Sequence, residues 1–198
     1  RTGHGPIIFG DPRSGWALSF RYTATDGPTP AFESLRPMLQ ARTVADLHAT
    51  QRDWVDPVNN LVSADTQGNI GYLVRGRIPV RTSAAGRRHP VPGWDGACEW
   101  TGFVPFEQLP QAINPPEGFI ATANQRVIQS DEPYIGTSYA SPSRADRIAE
   151  RIMAKAKHTP SEIMDIQDDT VSLGVCFAFA MMRSAMRSAR EGLAYEVP

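Results

Sequence analysis

The chain has 198 residues, 41% of them hydrophobic, and carries 20 basic and 21 acidic side chains for a formal net charge of −1. This length and apolar content suffice for one buried core. The near-zero net charge gives no electrostatic field that would attract nucleic acid or an anionic membrane surface, so neither is expected as a partner.

The distribution of proline and glycine divides the chain into two parts. Most of the 17 prolines and 16 glycines precede residue 143, whereas residues 143–191 contain only Pro160 and Gly174. Because proline and glycine interrupt regular structure, residues 1–142 are predicted to form strands and loops. Residues 143–198 are predicted to be helical.

The first predicted helix begins at Thr43. The Thr43 side chain can cap it, with Asp46 at the third helical position. Apolar residues then recur on one face as far as Val55, before Pro57 ends the pattern. We expect this helix to pack on a sheet.

Two strands are predicted next, at residues 60–65 and 70–80. Gly68, between them, can supply the positive φ of a hairpin loop. Apolar residues at successive positions of the second strand allow both of its faces to be covered. A strand covered on both faces favours helices and sheets in layers, so the predicted fold class is α+β.

Further along, residues 94–110 are dense in aromatic residues, proline and glycine. They predict an irregular connector between strands, or alternatively one wall of a hydrophobic pocket. Residues 114–126 predict a turn, a short apolar strand and then polar side chains at the strand end. Such strand ends often carry functional residues.

The helical part contains two start signals and one apolar segment. Ser143 with Asp146, and Thr159 with Glu162, can cap the first two helices. The apolar segment 171–182 is shorter than the roughly 20 residues that cross a bilayer. It is therefore predicted to be a buried helix that closes the apolar side of the fold, and no membrane is expected as a partner.

Common catalytic motifs are missing from the sequence. It contains no GxSxG, HExxH, GxxxxGK[ST] or GxGxxG pattern. Cys98 and Cys176 form no CxxC pair. The four histidines stand in no ligand spacing with carboxylates and are interpreted as surface or structural residues.

Eight short motifs follow one another in order along the sequence, at Thr2–Pro6, Ala64–Tyr72, Gly76–Arg81, Pro90–Gly96, Glu99–Gly102, Pro105–Pro110, Asn114–Gly118 and Thr122–Arg126. Taken together, these motifs resemble the penicillin acylase family, and the resemblance covers about residues 1–182. The resemblance implies an N-terminal-nucleophile hydrolase with a four-layer αββα sandwich. This chain would be an internal piece of its β-subunit, so 1–142 and 143–198 would be parts of a single incomplete domain.

The resemblance also implies a reaction. The nucleophile of the family is a serine at the start of the β-subunit, and its own α-amino group acts as the base. Because the pKa of an unperturbed α-amino group is about 7.7–8.0, that amine can accept the serine proton. This serine would lie upstream of Arg1, so the chain by itself is expected to be inactive.

Two residues of this chain match the family's site residues. Asn124 matches the asparagine whose amide donates to the oxyanion, and Arg147 matches an arginine that orients the site. The alternatives from the residues themselves are a turn-capping amide for Asn124 and a helix-surface salt bridge for Arg147.

The family resemblance also bears on cofactors, partners and location. The reaction requires no cofactor, and a structural calcium is a candidate only in the full protein, because the match around residues 129–134 is loose. The implied partners are the α-subunit, the remaining β-subunit segments of the same precursor and a hydrophobic acyl-amide substrate. The chain itself carries no sign of its compartment, and the resemblance implies a periplasmic or extracellular location.

An alternative is a non-catalytic relative that serves as a scaffold for ligand binding or subunit association. In either case, an internal piece is expected to expose apolar surface and to self-associate.

Overall fold

The computed structural model describes residues 3–28 and 30–193. Thr2, in the first motif, and residues 194–198, at the end of the predicted helical part, therefore lie outside the described residues. Twelve helices and strands, apart from short 3-10 turns, follow in chain order among them. They are β1 (Ile7–Asp11), β2 (Trp16–Ser19), α1 (Leu35–Gln40), α2 (Val44–Ala49), β3 (Asn59–Ala64), β4 (Ile70–Arg75), β5 (Pro79–Arg81), β6 (Trp100–Phe103), β7 (Gln111–Ile113), α3 (Ser143–Met153), α4 (Pro160–Gln167) and α5 (Leu173–Leu193).

The chain divides into two compact units, and each has its own type of structure. The first unit comprises Arg1–Ile120 and Val127–Ser138, and it contains every strand of the described residues. The second unit comprises Ala121–Arg126 and Tyr139–Pro198, and it contains α3, α4 and α5. The mixed α and β character predicted from the sequence is confirmed, whereas a single domain stays a prediction.

The centre of the first unit is an antiparallel sheet in the order β3-β4-β7. Gly68 has φ +89° in the loop between β3 and β4, as predicted. Leu73 and Val74 are consecutive in β4 and point to opposite faces, yet they are only 0% and 3% exposed. They form a core with Ile78 and Leu109, which confirms that both faces of this strand are covered.

The predicted strand 70–80 is wrong in its second half, because the chain turns at Gly76. This residue has φ +129°, and a Cβ atom there would lie 2.6 Å from Cγ2 of Val58. Glycine alone accommodates both the conformation and the contact. Beyond it, β5 leaves the central sheet and pairs with β6.

Helix α2 packs on β4 through the gap that Gly71 leaves. A Cβ atom on Gly71 would lie 2.3 Å from Cγ1 of Val44 and 2.7 Å from Nε2 of His48. The predicted capping box of Thr43 and Asp46 is present. The predicted extension to Val55 is wrong, because the backbone after Ala49 tightens into three-residue turns.

One polar network fixes the β3–β4 hairpin to its surroundings. The carboxylate of Asp65 accepts hydrogen bonds from the backbone N–H groups of Val44, Gln67 and Asn69 and from the Asn69 side chain. These donors lower the pKa of Asp65, the Asn69 side chain contributing most. The motif Ala64–Tyr72 thus has a structural role.

In the second unit, the predicted capping box at Thr159 and Glu162 is present, with Pro160 at the first helical position. The other start signal is displaced by one residue. Pro142 occupies the N-cap position of α3, and Ser143 is the first helical residue. Helix α3 contacts both α4 and α5.

Helix α5 forms where the apolar segment predicts a helix, but the expectation that it is buried is wrong. Every residue from 174 to 190 is exposed, including Phe177 at 68% and Phe179 at 60%. Its apolar side chains lie around the helix rather than in one stripe, so a single neighbouring helix cannot cover them. The expectation of exposed apolar surface is confirmed. No described helix is both long and apolar enough to cross a membrane.

Candidate active site

The candidate oxyanion residue, Asn124, lies in an irregular segment. The short apolar strand predicted before it is wrong, since residues 119–123 pair with no strand of the described chain. Side-chain hydrogen bonds hold this segment instead. Oε1 of Gln125 accepts from the Ala123 N–H at 2.7 Å, and Nε2 of Gln125 donates to the Ala121 carbonyl at 3.3 Å.

The backbone of Asn124 has φ +67°, in the left-handed region that asparagine tolerates better than most residues. Its carbonyl oxygen accepts a hydrogen bond from the Ala140 N–H at 2.8 Å. The side chain is exposed. The backbone is thereby fixed while the amide group faces outward.

Arg144, in the first turn of α3, fixes the orientation of the Asn124 amide. Its Nη2 donates to Oδ1 of Asn124 at 3.0 Å and to the Ala123 carbonyl at 2.7 Å. Since a guanidinium can only donate, the amide oxygen must face Arg144. The Nδ2 group, which has no acceptor among the described residues, is left available to a ligand.

Arg147, the other predicted site residue, is engaged in an ion-pair cluster. Its Nη2 lies 2.8 Å from Oδ2 of Asp169, and its Nη1 lies 2.9 Å from Oε2 of Glu150. Arg151 reaches the same Asp169 oxygen at 3.0 Å. The side chain of Asp169 is only 6% exposed. Arg147 thus forms a salt bridge, which was the alternative to a role in the site. One of its carboxylate partners, Glu150, is in α3, and the other, Asp169, lies between α4 and α5.

The pKa values of this cluster follow from its geometry. Hydrogen bonds from Arg147 lower the pKa of Asp169, and the same bonds, followed by those to Glu150, raise the pKa of Arg147. Both groups therefore keep their charges at neutral pH, and the cluster ties α3 to the segment between α4 and α5.

Sequence reasoning missed Arg144. The residue stands three positions before Arg147, and Arg144 rather than Arg147 touches the Asn124 amide. The available signal was a basic residue in the first turn of a helix, where the helix dipole disfavours positive charge. A cation at that position indicates a specific partner.

A cavity of about 490 Å³ lies in the first unit, with Trp94 and Trp100 among its lining residues. The pocket-wall alternative for residues 94–110 thus has structural support. His4 also lines this cavity and lies 2.7 Å from Oε1 of Glu99. Their separation of 95 positions explains why the sequence spacing gave no sign of this pair.

No group of three or more His, Cys, Asp or Glu residues in the described ranges is arranged to hold a metal ion.

Residues 1–194 match the sequence profile of the family described as penicillin amidase. The chain belongs to this family. The match extends beyond residue 182, where the resemblance in the sequence fades.

Two relatives illustrate the range of penicillin amidase family members. The penicillin acylase 2 proenzyme of Pseudomonas sp. (strain SE83) is 43% identical over 172 residues, which cover 86% of this chain and 22% of that protein. The acyl-homoserine lactone acylase QuiP of Pseudomonas aeruginosa is 29% identical over 193 residues, covering 91% and 22% respectively. The chain therefore spans about a fifth of the length of these family members.

A solved family structure resembles the fold. The thermostable penicillin G acylase from Alcaligenes faecalis superposes with a TM-score of 0.70 at 26% identity, covering 84% of this chain and 30% of that one.

Proposed function

We propose that this chain is an internal part of the β-subunit of an amide hydrolase of the penicillin acylase type. Family membership and the 22% share of the penicillin acylase 2 proenzyme support this proposal. In the full protein, the chain would belong to a four-layer αββα sandwich. Its partners would be the α-subunit and the remaining β-subunit segments.

The reaction would proceed through an acyl-enzyme. A serine at the β-subunit N-terminus, outside this chain, would attack the acyl carbonyl and transfer its proton to its own α-amino group. The amine product would leave with that proton, and water would release the acid. The substrate would carry a hydrophobic acyl group, and no cofactor takes part. A structural calcium ion is a candidate only for the full protein.

Asn124 would donate from Nδ2 to the oxyanion of the tetrahedral intermediate. The observation that carries this proposal is the free Nδ2 of an exposed amide whose Oδ1 and backbone carbonyl are both held. A donor fixed before the reaction stabilises developing charge without having to reorganise. Arg144 would position the amide, and Arg147 would orient the site indirectly, by fixing α3.

The test is to express the complete coding sequence and measure two properties. Mass spectrometry should find two chains, with serine at the new N-terminus, and the processed protein should hydrolyse phenylacetyl or long-chain acyl amides. In processed protein, Asn124→Ala should lower kcat by about 10²–10³. Gln129→Ala, which changes another amide side chain, serves as the matched control and should retain activity.

Two other outcomes would redirect the proposal. A cleaved, active enzyme that is insensitive to Asn124→Ala would exclude Asn124 from the oxyanion hole while leaving the amidase function intact. An uncleaved and inactive product would favour the non-catalytic scaffold. The isolated 198-residue chain should show no turnover, since the proposed nucleophile would lie outside it.

A further inference from the structure

The cavity of the first unit has an excess of positive charge. Four of its lining residues are arginines, whereas Glu99 is the acidic residue among the described lining residues. Glu99 is already engaged, because His4 lies 2.7 Å from one of its oxygens and Arg21 lies 4.0 Å from the other. Arg21 is further paired with Asp26 at 3.0 Å. Arg81, another of these arginines, has no carboxylate partner among the described residues.

Arg81 is one of the arginines that line this cavity. It is half-buried and has no carboxylate partner among the described residues, and its Nη1 donates only to the Pro79 carbonyl, at 3.3 Å. Its guanidinium lies 5.6 Å from the ring centroid of Trp100 and 5.8 Å from that of Tyr134. Burial lowers the pKa of Arg81. Tyr134 acts in the opposite direction, and the nearby charge of Arg87 lowers the pKa further. A desolvated cation without a counter-ion is costly unless an anion joins it.

Arg87 supplies a second unused donor. It lies 4.2 Å from the ring centroid of Tyr134, so both arginines contact the same aromatic side chain. Its Nη2 is paired with Oε1 of Glu132 at 2.9 Å, but its Nε is buried without any hydrogen-bond partner. A buried N–H with no acceptor needs an explanation, and an acceptor atom supplied by a bound ligand is one.

We propose that this cavity binds a small organic carboxylate with a planar apolar body. Guanidinium groups match the geometry of a carboxylate, so its oxygens would accept from Arg81 and from Nε of Arg87. The exposed ring of Trp94 and the half-buried ring of Trp100 would contact the apolar body. The volume of about 490 Å³ lies within the range of small-molecule sites.

The test uses the full, processed protein and isothermal titration with benzoate, compared with benzamide, which has the same shape without the charge. Benzoate should bind, and benzamide should bind at least tenfold more weakly. Arg81→Met should weaken benzoate binding by about tenfold or more, as expected for the loss of a charge-assisted hydrogen bond. Arg36→Met, an exposed arginine outside the cavity, is the matched control and should bind normally.

Arg81→Lys covers the case in which the methionine variant fails to fold, because lysine keeps the charge and loses the planar fork. It too should weaken binding. Equal binding of benzoate and benzamide, or unchanged binding in both Arg81 variants, would overturn the proposal. No benzoate binding at millimolar concentration would also overturn it. None of these results depends on turnover.

Discussion

At the scale of single residues, the pair of Arg144 and Asn124 decides what the candidate site can do. An exposed asparagine amide normally rotates, so its donor and acceptor exchange places. Here the Arg144 guanidinium donates a hydrogen bond to the amide oxygen of Asn124. The hydrogen bond from the Ala140 N–H holds the left-handed backbone that carries this side chain. Preorganisation of one donor is the property that an oxyanion hole requires.

This pairing predicts the behaviour of an Arg144→Ala variant. In the full enzyme, kcat should fall about tenfold with little change in KM, since the amide would lose its fixed orientation. In an Asn124→Ala background the same change should have no further effect, because the two residues act as one unit. Added guanidinium should restore part of the activity of the single variant. Arg183→Met, on α5, is the control.

The result separates two ideas. If Asn124→Ala lowers activity and Arg144→Ala does not, the oxyanion role stands and the positioning role fails. Additive effects of the two changes would likewise count against positioning.

Also at the scale of single residues, the sequence predicts a contact when the two residues lie close together along the chain. The capping boxes at Thr43 and Thr159 each lie within four residues, so the pattern alone predicts them. Asn124 was proposed as a site residue through the family resemblance. Arg144 was not, because its contact with Asn124 spans 20 positions and depends on the positive φ of Asn124, which no local pattern shows.

At the scale of elements, the contact between α2 and β4 depends on a missing side chain. Gly71→Ala should destabilise the protein by about 1–3 kcal/mol, because the new methyl group would overlap Val44 and His48. Gly102→Ala is the matched control, since a Cβ atom there meets nothing within 4 Å. Chemical denaturation of both variants measures the difference, and equal midpoints would contradict the packing described for α2.

The ion-pair cluster between α3 and the α4–α5 connection predicts a dependence on pH. The pKa of Asp169 is lowered in the folded state, so its stabilising effect is present above its unfolded pKa and is lost as the pH falls through its folded pKa. Asp169→Asn should therefore destabilise the protein at neutral pH and reduce the loss of stability in acid. Glu150→Gln removes only the exposed partner of Arg147 and should change the acid profile less. Thermal melts across this pH range are the measurement, and identical profiles would exclude the predicted role of Asp169.

The predicted boundaries of an element are wrong where contacts with distant residues set them. The turn at Gly76 depends on Val58, which approaches it from 18 positions away. The apolar pattern of α5 predicts a buried helix, and this is wrong for the described chain. A pattern cannot say whether residues that would cover the helix are in the same chain.

At the scale of the whole molecule, the exposed apolar surface of α5 predicts how the isolated chain behaves. Phe177 and Met181 are 68% and 59% exposed and lie one turn apart. Exposed patches of this kind promote association, so the isolated chain should form oligomers in light scattering. Replacing both residues by glutamine should shift the chain towards monomer, whereas Arg183→Gln on the same helix should not. A clean monomer for the unaltered chain would contradict this expectation.

Helix α5 also carries Met181, Met182 and Met186, all more than half exposed. Accessible methionines are oxidised by mild peroxide to sulfoxides, which are polar. These three thioethers should therefore react in the isolated chain and become protected wherever another segment covers the helix. The extent of methionine oxidation in this helix, measured by mass spectrometry without any label, would therefore report whether another segment covers it.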